Sequence, residues 1–314
     1  MPPRTSGSAA LRWLIGAVAS STILLTIALV ETGLRVQLTA WDTLPYYAAV
    51  MIAILLRTAT RGTARPVLRR VTRCAEYYTF FTFIVLLGAI ASYPVAAATH
   101  GFVDEGLARF DTLLHFDWMT WYRVVVMHPG LQRIGRMAYE SIYWPPVILL
   151  GYYAWTERDR DAWRFMSRFW VAAILTLIVF RFMPAIGPLA YLWHGPVPYM
   201  PESALWQPEL IPPLRLHAMH LIDLGTLRGL VSAPSFHTAA AVLYIVAAWP
   251  IRGLRVPLIL LNGAMLLATP VEGTHYLTDM LIGALVAGCA VGLHDWMAHV
   301  RPVPRFVLAM GLTA

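Results

Sequence analysis

The chain has 314 residues, of which 58% are hydrophobic and only 13% charged, with a mean hydropathy of +0.60. A soluble domain is about half apolar and about a quarter charged, so this composition excludes an ordinary soluble globule and suits one membrane domain. The net charge of +7 comes from 24 basic residues, all arginine; they cluster in short loops between apolar runs, which is the pattern of membrane topology and not of a nucleic-acid footprint.

In chain order, the first apolar run covers about Leu11 to Val30, after Arg4 and Arg12. Its length and the lack of a small-residue cleavage site predict a retained anchor helix, not a signal peptide. A second, shorter run spans about Leu44 to Leu56, followed by Arg57, Arg61, Arg65, Arg69, Arg70 and Arg73. The third covers about Tyr77 to Ala98. After it, about Val103 to Val126 interleaves Asp104, Glu105, Asp111 and Asp117 with Phe110, Phe116, Trp118, Trp121 and Tyr122. Such a mixture predicts a helix lying in the membrane interface. Runs four to eight cover about Met137 to Trp155, Phe169 to Met183, Ala233 to Trp249, Val256 to Thr269 and Tyr276 to Met297. A long Pro-rich segment, about Pro184 to Gly229, separates the fifth from the sixth.

These runs predict an all-α integral membrane protein with about eight transmembrane helices and one interfacial helix. With the N-terminus inside, loops 57–73, 156–168 and 250–255 and the tail 301–314 fall in the cytoplasm, and they carry most of the arginine. The opposite side receives the interfacial stretch, the Pro-rich segment and the turn at Glu272. The positive-inside rule is satisfied at every turn. Cys74 and Cys289 are isolated, with neither disulfide nor metal-ligand spacing.

Two stretches carry the chemistry: Ser232-Ala233-Pro234-Ser235-Phe236-His237, and Glu272-Gly273-Thr274-His275-Tyr276-Leu277-Thr278-Asp279. Between them the chain runs one helix down and one helix back, each leg about 22 to 27 Å at 1.5 Å per residue, so both histidines return to the same outer depth. Each stretch reads as a helix start, with Ser232 as cap and Pro234 in the first turn of one, and Gly273-Thr274 opening the other. Unsatisfied N–H groups at such ends favour an anion. His275 and Asp279 stand four apart. A carboxylate there can hold one imidazole nitrogen and leave the other as a nucleophile. His237 is then the candidate acid and Ser235 a donor to a phosphoryl oxygen. Phosphoryl oxygens need cations, and Arg181, Arg215 and Arg228 are the candidates on that side.

The plainer readings stand beside these. A histidine near a helix end is more often structural than catalytic, and an arginine at a span end is often a headgroup anchor. His-Asp pairs also bind metals, but no third ligand with firm spacing is visible, so no metal and no cofactor is assigned. A lipid transporter would carry ionisable residues at mid-span; here Glu31, Glu140 and Asp279 sit near span ends.

The motifs resemble the type 2 phosphatidic acid phosphatase superfamily, whose second and third signatures look like Ser235-Phe236-His237 and like His275 with Asp279. The Pro-Ser-Phe-His form resembles the inositol phosphorylceramide synthase branch, as do Pro184-Ala185-Ile186-Gly187-Pro188, Thr269-Pro270-Val271-Glu272-Gly273 and Phe116-Asp117-Trp118. The resemblance covers about residues 77 to 297 and implies a six-helix phosphatase-like core with its active site at the membrane surface. It implies a metal-independent phosphohistidine mechanism, with His275 as nucleophile, Asp279 as its partner and His237 as acid. The chain departs from the superfamily's first signature, which starts with lysine and ends in Arg-Pro: there is no lysine, and Arg65-Pro66 falls in a cytoplasmic loop. Thr269 stands where the superfamily has an arginine six residues before the last histidine.

The expectation is therefore a lipid phosphatase or phosphotransferase that cleaves or transfers a phosphate or phospho-headgroup, such as phosphoinositol. It would take a phospholipid or lipid phosphate, with water, an alcohol or a ceramide as acceptor. The alternatives are a prenyl-diphosphate or phosphatidic acid phosphatase, or a non-catalytic lipid transporter. The expected organisation is two N-terminal helices with a basic loop (1–76), a six-helix catalytic domain (77–300) and a tail (301–314). The expected location is a multi-pass cell membrane, the inner one in a Gram-negative cell, with the site extracytoplasmic.

Overall fold

The computed structural model describes residues 5–300; Arg4 and the expected tail 301–314, with Arg301 and Arg305, lie outside the described residues. Helix α1 (Thr5–Glu31) leads into strand β1 (Arg35–Gln37), then α2 (Leu44–Ala59) and α3 (Pro66–Ala98). Three shorter helices follow, α4 (Asp104–Leu113), α5 (Trp118–Met127) and α6 (Pro129–Glu140), and then α7 (Trp144–Trp155) and α8 (Asp159–Phe182). The Pro-rich segment holds α9 (Pro188–Leu192), α10 (Trp206–Arg215) and strand β2 (Leu221–Asp223). It feeds α11 (Phe236–Ala248), α12 (Arg252–Glu272) and α13 (Leu277–Val300).

The fold is that of an all-α membrane protein, with differences from the expected span count. Among the described residues, five helices are long and apolar enough to cross a bilayer: α1, α3, α8, α12 and α13. The other three expected spans form helices of 16, 12 and 13 residues, α2, α7 and α11. At 1.5 Å per residue these reach about 24, 18 and 20 Å, short of a hydrocarbon core of about 30 Å. Proline explains two of the three. Pro145 and Pro146 have no N–H to donate and open α7, so the run 137–155 breaks at a 3-10 turn, Ser141–Tyr143, into the end of α6 and α7. Pro234 lies ahead of α11 and delays its start to Phe236.

The single interfacial helix expected over 103–126 is two helices, parted at His115, whose φ is +56°. Two of its acids, Asp104 and Asp111, are buried. The Pro-rich segment is ordered by α9, α10 and a two-stranded parallel sheet, in which Arg35 pairs with Leu221 and Gln37 with Asp223. That sheet ties the end of α1 to the Pro-rich segment.

The core gathers Tyr77 and Phe81 of α3, Leu149 of α7, Phe165 and Phe169 of α8, Tyr244 of α11 and Ala287 of α13. Helix α11 packs on α12 and α13, and α13 packs on α8. The buried residues of α11 include Ala239, Ala240, Ala241 and Ala248; small residues let helix backbones approach closely where lipid supplies no hydrophobic driving force between helices. Helix α1 rests on α3 and α8, with Leu14 and Val18 in the core and Trp13 edge-on to Trp170 at 5.6 Å between centroids. Outside, Ile23, Leu24, Leu260, Leu267 and Leu285 are 62% to 67% exposed, an apolar belt that a water-soluble surface would not carry.

Charge marks one end of the bundle. Arg73 reaches Asp159 at 3.2 Å and Glu157 at 3.6 Å, and Arg70 reaches Glu157 at 3.7 Å. Arg168 of α8 meets Asp295 near the end of α13 at 2.7 Å. The arginine loops 57–73 and 156–168 therefore share an end with the C-terminal part of α13. The starts of α11 and α13, which carry the histidine motifs, lie at the other.

Candidate active site

The two motifs meet through the backbone. The Ser235 N–H donates to the Asp279 carbonyl at 3.2 Å. A methyl group at Gly283 would come within 2.3 Å of the Ser235 carbonyl oxygen, so only glycine allows α13 to pass this close to the start of α11. Both starts are capped, but not as the sequence predicts. The cap of α11 is Ser235, whose hydroxyl oxygen accepts from the Thr238 N–H at 3.4 Å and from the Thr238 hydroxyl at 3.2 Å. Ser232 instead donates to the Ala185 carbonyl, and Pro234 precedes the cap. A residue capping through its side chain must sit directly before the first helical turn, and proline keeps Ser232 too far back.

Helix α13 opens at Leu277, three residues later than Gly273-Thr274 would have it. Its first N–H groups, read from sequence as an anion site, already face carboxylates. Leu277 and Thr278 donate to Asp111 of α4 at 3.0 and 2.7 Å. The Tyr276 N–H donates to Asp279 at 2.8 Å. Asp279 thus reaches back one turn to the cap residue, as the acidic member of a capping box does. Its other oxygen meets His275 Nδ1 at 2.9 Å. Both residues are buried, with His275 4% and Asp279 1% exposed. With Nδ1 engaged, the nitrogen left for chemistry is Nε2.

His237 stands at the start of α11, half-buried, with its ring centroid 6.4 Å from that of His275. The turn that carries His275 is braced from several sides. Thr274 holds φ at +48°, in the left-handed region, which costs a non-glycine residue on the order of 1 kcal/mol or more. Ser203 holds its hydroxyl at 3.2 Å. Gly187, at φ +89°, lies against it, and a Cβ there would meet the Thr274 carbonyl at 2.9 Å. Asp104 accepts from the Ile186 and Gly187 N–H groups at 2.9 Å each and from the Tyr276 hydroxyl at 3.0 Å. Burial pushes the Asp104 carboxyl above the usual range, against the pull of those donors. Trp118 Nε1–H donates to the Pro270 carbonyl at 2.7 Å. Glu272 accepts from the Tyr199 hydroxyl at 2.8 Å and from the Glu202 N–H at 3.2 Å. Burial, with Glu272 adjacent, pushes the Tyr199 phenol up to about 12.

Helix α6 adds residues the sequence reading passed over. Tyr139 stacks on His237 with centroids 4.1 Å apart and 18° between planes, and its hydroxyl lies 3.3 Å from His237 Nδ1. Arg136, one turn earlier, lies over the Tyr199 ring at 5.9 Å and 3.6 Å from Glu202. In the sequence, α6 registers only through the start of the fourth apolar run at Met137, near the end of the helix.

The structure brings His237, His275, Asp279 and Ser235 together. The three candidate arginines have other neighbours. Arg215 donates to the Thr99 hydroxyl at 3.0 Å and the Gly101 carbonyl at 2.7 Å and covers Phe102; burial holds its guanidinium below the usual range. Arg228 lies over Trp206 at 4.5 Å and Arg181 over Phe182 at 5.7 Å. Arg65 and Pro66 start α3 at the arginine-rich end, away from the histidines. Thr269 is fully buried, its hydroxyl bonded to the Met265 carbonyl at 2.8 Å. Among the described residues no three His, Cys, Asp or Glu side chains stand together as a metal-ligand set.

The fold and the site define a helical membrane protein with a carboxylate-held histidine facing a second histidine at one end of the bundle. A family model described as the PAP2 superfamily matches residues 105–293, more than half of the chain, and the chain belongs to that superfamily. Membership supports an enzyme with phosphatase-type activity on lipid phosphates in the membrane. No curated protein and no solved structure matches.

Proposed function

We propose that the chain transfers a phosphate or phospho-headgroup between lipids, or to water, through a phosphohistidine. The observation that carries this reading is the pair of distances at the site: 2.9 Å from His275 Nδ1 to Asp279, and 6.4 Å between the His275 and His237 rings. Rings this close, with centroids 6.4 Å apart, place both histidines within reach of a single phosphoryl group.

In the first step the His275 Nε2 lone pair attacks phosphorus. The P–O bond to the lipid breaks, and the leaving oxygen takes the proton from Nε2 of protonated His237. The Asp279 carboxylate stabilises the positive charge on the phosphorylated imidazole through Nδ1–H. In the second step neutral His237 takes a proton from water or an alcohol, whose oxygen attacks phosphorus as the N–P bond breaks. Ser235 donates its hydroxyl hydrogen to a phosphoryl oxygen. Arg181, Arg215 and Arg228 supply positive potential on that side, and Arg136 joins them from the helix that also touches His237.

Water and alcohol use the same intermediate. The Pro-Ser-Phe-His motif with Pro184–Pro188 favours the transferase outcome, of the inositol phosphorylceramide synthase type, with phosphoinositol as group and ceramide as acceptor. The extent of the resemblance favours a catalytic unit over 77–300 with α1 and α2 as an N-terminal addition, although α3 itself begins earlier, at Pro66; of eight crossings, α2, α7 and α11 would be the short ones. The arginine-rich end would be cytoplasmic and the site extracytoplasmic. The test is lipid mass spectrometry: wild type and His275→Ala, incubated with a phospholipid and prenyl-phosphate panel with and without polyols or ceramide. A new lipid or free phosphate from wild type alone supports the reading. Equal turnover by His275→Ala would overturn it.

A further inference from the structure

We propose that Tyr139 is a positioning residue that holds His237 through Nδ1, so that Nε2 is the nitrogen His237 turns to the substrate. The proposal rests on the reading of His237 as the proton carrier.

Tyr139 lies in the last turn of α6, 8% exposed. Its hydroxyl stands 3.3 Å from His237 Nδ1 and its ring lies under the imidazole, 4.1 Å away and 18° from parallel. It also packs against the second motif, since a Cβ at Gly273 would meet Tyr139 Cε2 at 3.0 Å and His275 Cδ2 at 2.6 Å. One tyrosine therefore fixes the His237 ring in plane and in rotation, wedged against the turn that carries the other histidine.

The two histidines are held alike. Each has an oxygen partner at Nδ1, a carboxylate at 2.9 Å for His275 and a phenol at 3.3 Å for His237. The partners differ as the roles require. The nucleophile gains a full positive charge on phosphorylation, and a carboxylate offsets it. The proton carrier alternates between neutral and charged, and a phenol oxygen accepts from Nδ1–H in both states. The tyrosine ring face also attracts the imidazolium while it is charged. With Nδ1–H kept throughout, the mobile proton stays on Nε2: it leaves to the lipid oxygen in the first step and returns from water or alcohol in the second.

Two readouts on full-length protein in lipid nanodiscs test this. The first needs no substrate. Nitrogen-15 NMR of histidine-labelled protein, with His237→Asn to assign the signal, should show neutral His237 carrying its proton on Nδ1. Tyr139→Phe should shift it toward the other tautomer. The second compares two esters, phosphatidic acid and p-nitrophenyl phosphate. A proton carrier matters for the alkoxide leaving group and little for the nitrophenolate. Tyr139→Phe should lose about tenfold or more on phosphatidic acid and much less on the aryl ester, with no added loss in a His237→Ala background. Tyr139→Leu, which removes the stack as well, should lose more. An unchanged tautomer in Tyr139→Phe, or equal losses on both esters beside an unequal loss in His237→Ala, overturns the proposal. Equal losses in His237→Ala itself would instead overturn the role of His237, and the tautomer result still decides that of Tyr139.

Discussion

His275 and Asp279 hold each other at 2.9 Å across the first turn of α13, although only Asp279 belongs to the helix. Asp279 also accepts from the Tyr276 N–H at 2.8 Å. One carboxylate thus closes the helix start and orients the imidazole, so its removal has two separable consequences. Asp279→Asn keeps the shape but presents an amide nitrogen or a weaker acceptor to Nδ1. The expected result is a loss of about 10³ to 10⁴ in kcat, with a melting temperature close to that of wild type. Phosphate release and thermal denaturation, measured in the same detergent, check both halves.

Asp111 has no contact with either histidine among those described, yet it accepts from the Leu277 and Thr278 N–H groups and from the Thr278 hydroxyl at 2.7 to 3.0 Å. Asp111→Ala leaves the first N–H groups of α13 without their acceptor at a buried site. A cost of about 1 to 3 kcal/mol is expected, seen as a lower melting temperature. Activity measured well below that temperature should fall less than it does in Asp279→Asn.

Gly283 is the point where α13 passes the start of α11. Gly283→Ala puts a methyl group 2.3 Å from the Ser235 carbonyl oxygen, and both elements are backbone, so one helix must move. Expected outcomes are a lower melting temperature and a loss of kcat of about 10²-fold, the scale of a displacement of about 1 Å between reacting groups. Gly288→Ala, which meets nothing within 4 Å, is the control and should behave as wild type.

The arginines separate by partner. Arg215 is tied to Thr99 and Gly101, so Arg215→Ala should lower thermal stability, by about 1 to 3 kcal/mol for the hydrogen bonds of a charged group. Arg136 is 45% exposed at its side chain and sits one turn from Tyr139. Arg136→Ala should mainly raise KM, by about tenfold, as loss of a cation that meets the substrate before reaction does. Steady-state kinetics with phosphatidic acid vesicles, paired with melting curves, tell the two patterns apart.

Much of the fold was legible because apolar run length and arginine position are local signals. The C-terminal ends of α3, α8 and α12 fall near the sequence boundaries for that reason, whereas α3 and α8 begin well before their apolar runs, at Pro66 and Asp159, because their first turns are polar and carry no hydropathy signal. The break of 137–155 was legible in principle from Pro145-Pro146 but is masked by continuous hydropathy. The histidine pair was legible because both motifs sit at helix starts two legs apart. Their supports were not. Asp104, Asp111 and Tyr139 act on residues more than 80 positions away, and nothing in the spacing of a single chain records such a pairing. The helix caps were misread for a smaller reason: Ser232 and Ser235 both precede α11 and Thr274 precedes α13, and only the backbone decides which residue lies next to the first turn.

The most direct test of the central claim is to trap the intermediate. Wild type, His275→Ala and His237→Ala would be mixed briefly with a radiolabelled lipid phosphate, quenched in alkali, digested and sequenced by mass spectrometry. A phosphoryl group on His275, stable to alkali and lost in acid, absent from His275→Ala and present in His237→Ala when an activated ester is used, is the predicted result. Turnover of the lipid by wild type with the label on another residue, or with full activity in His275→Ala, would contradict it.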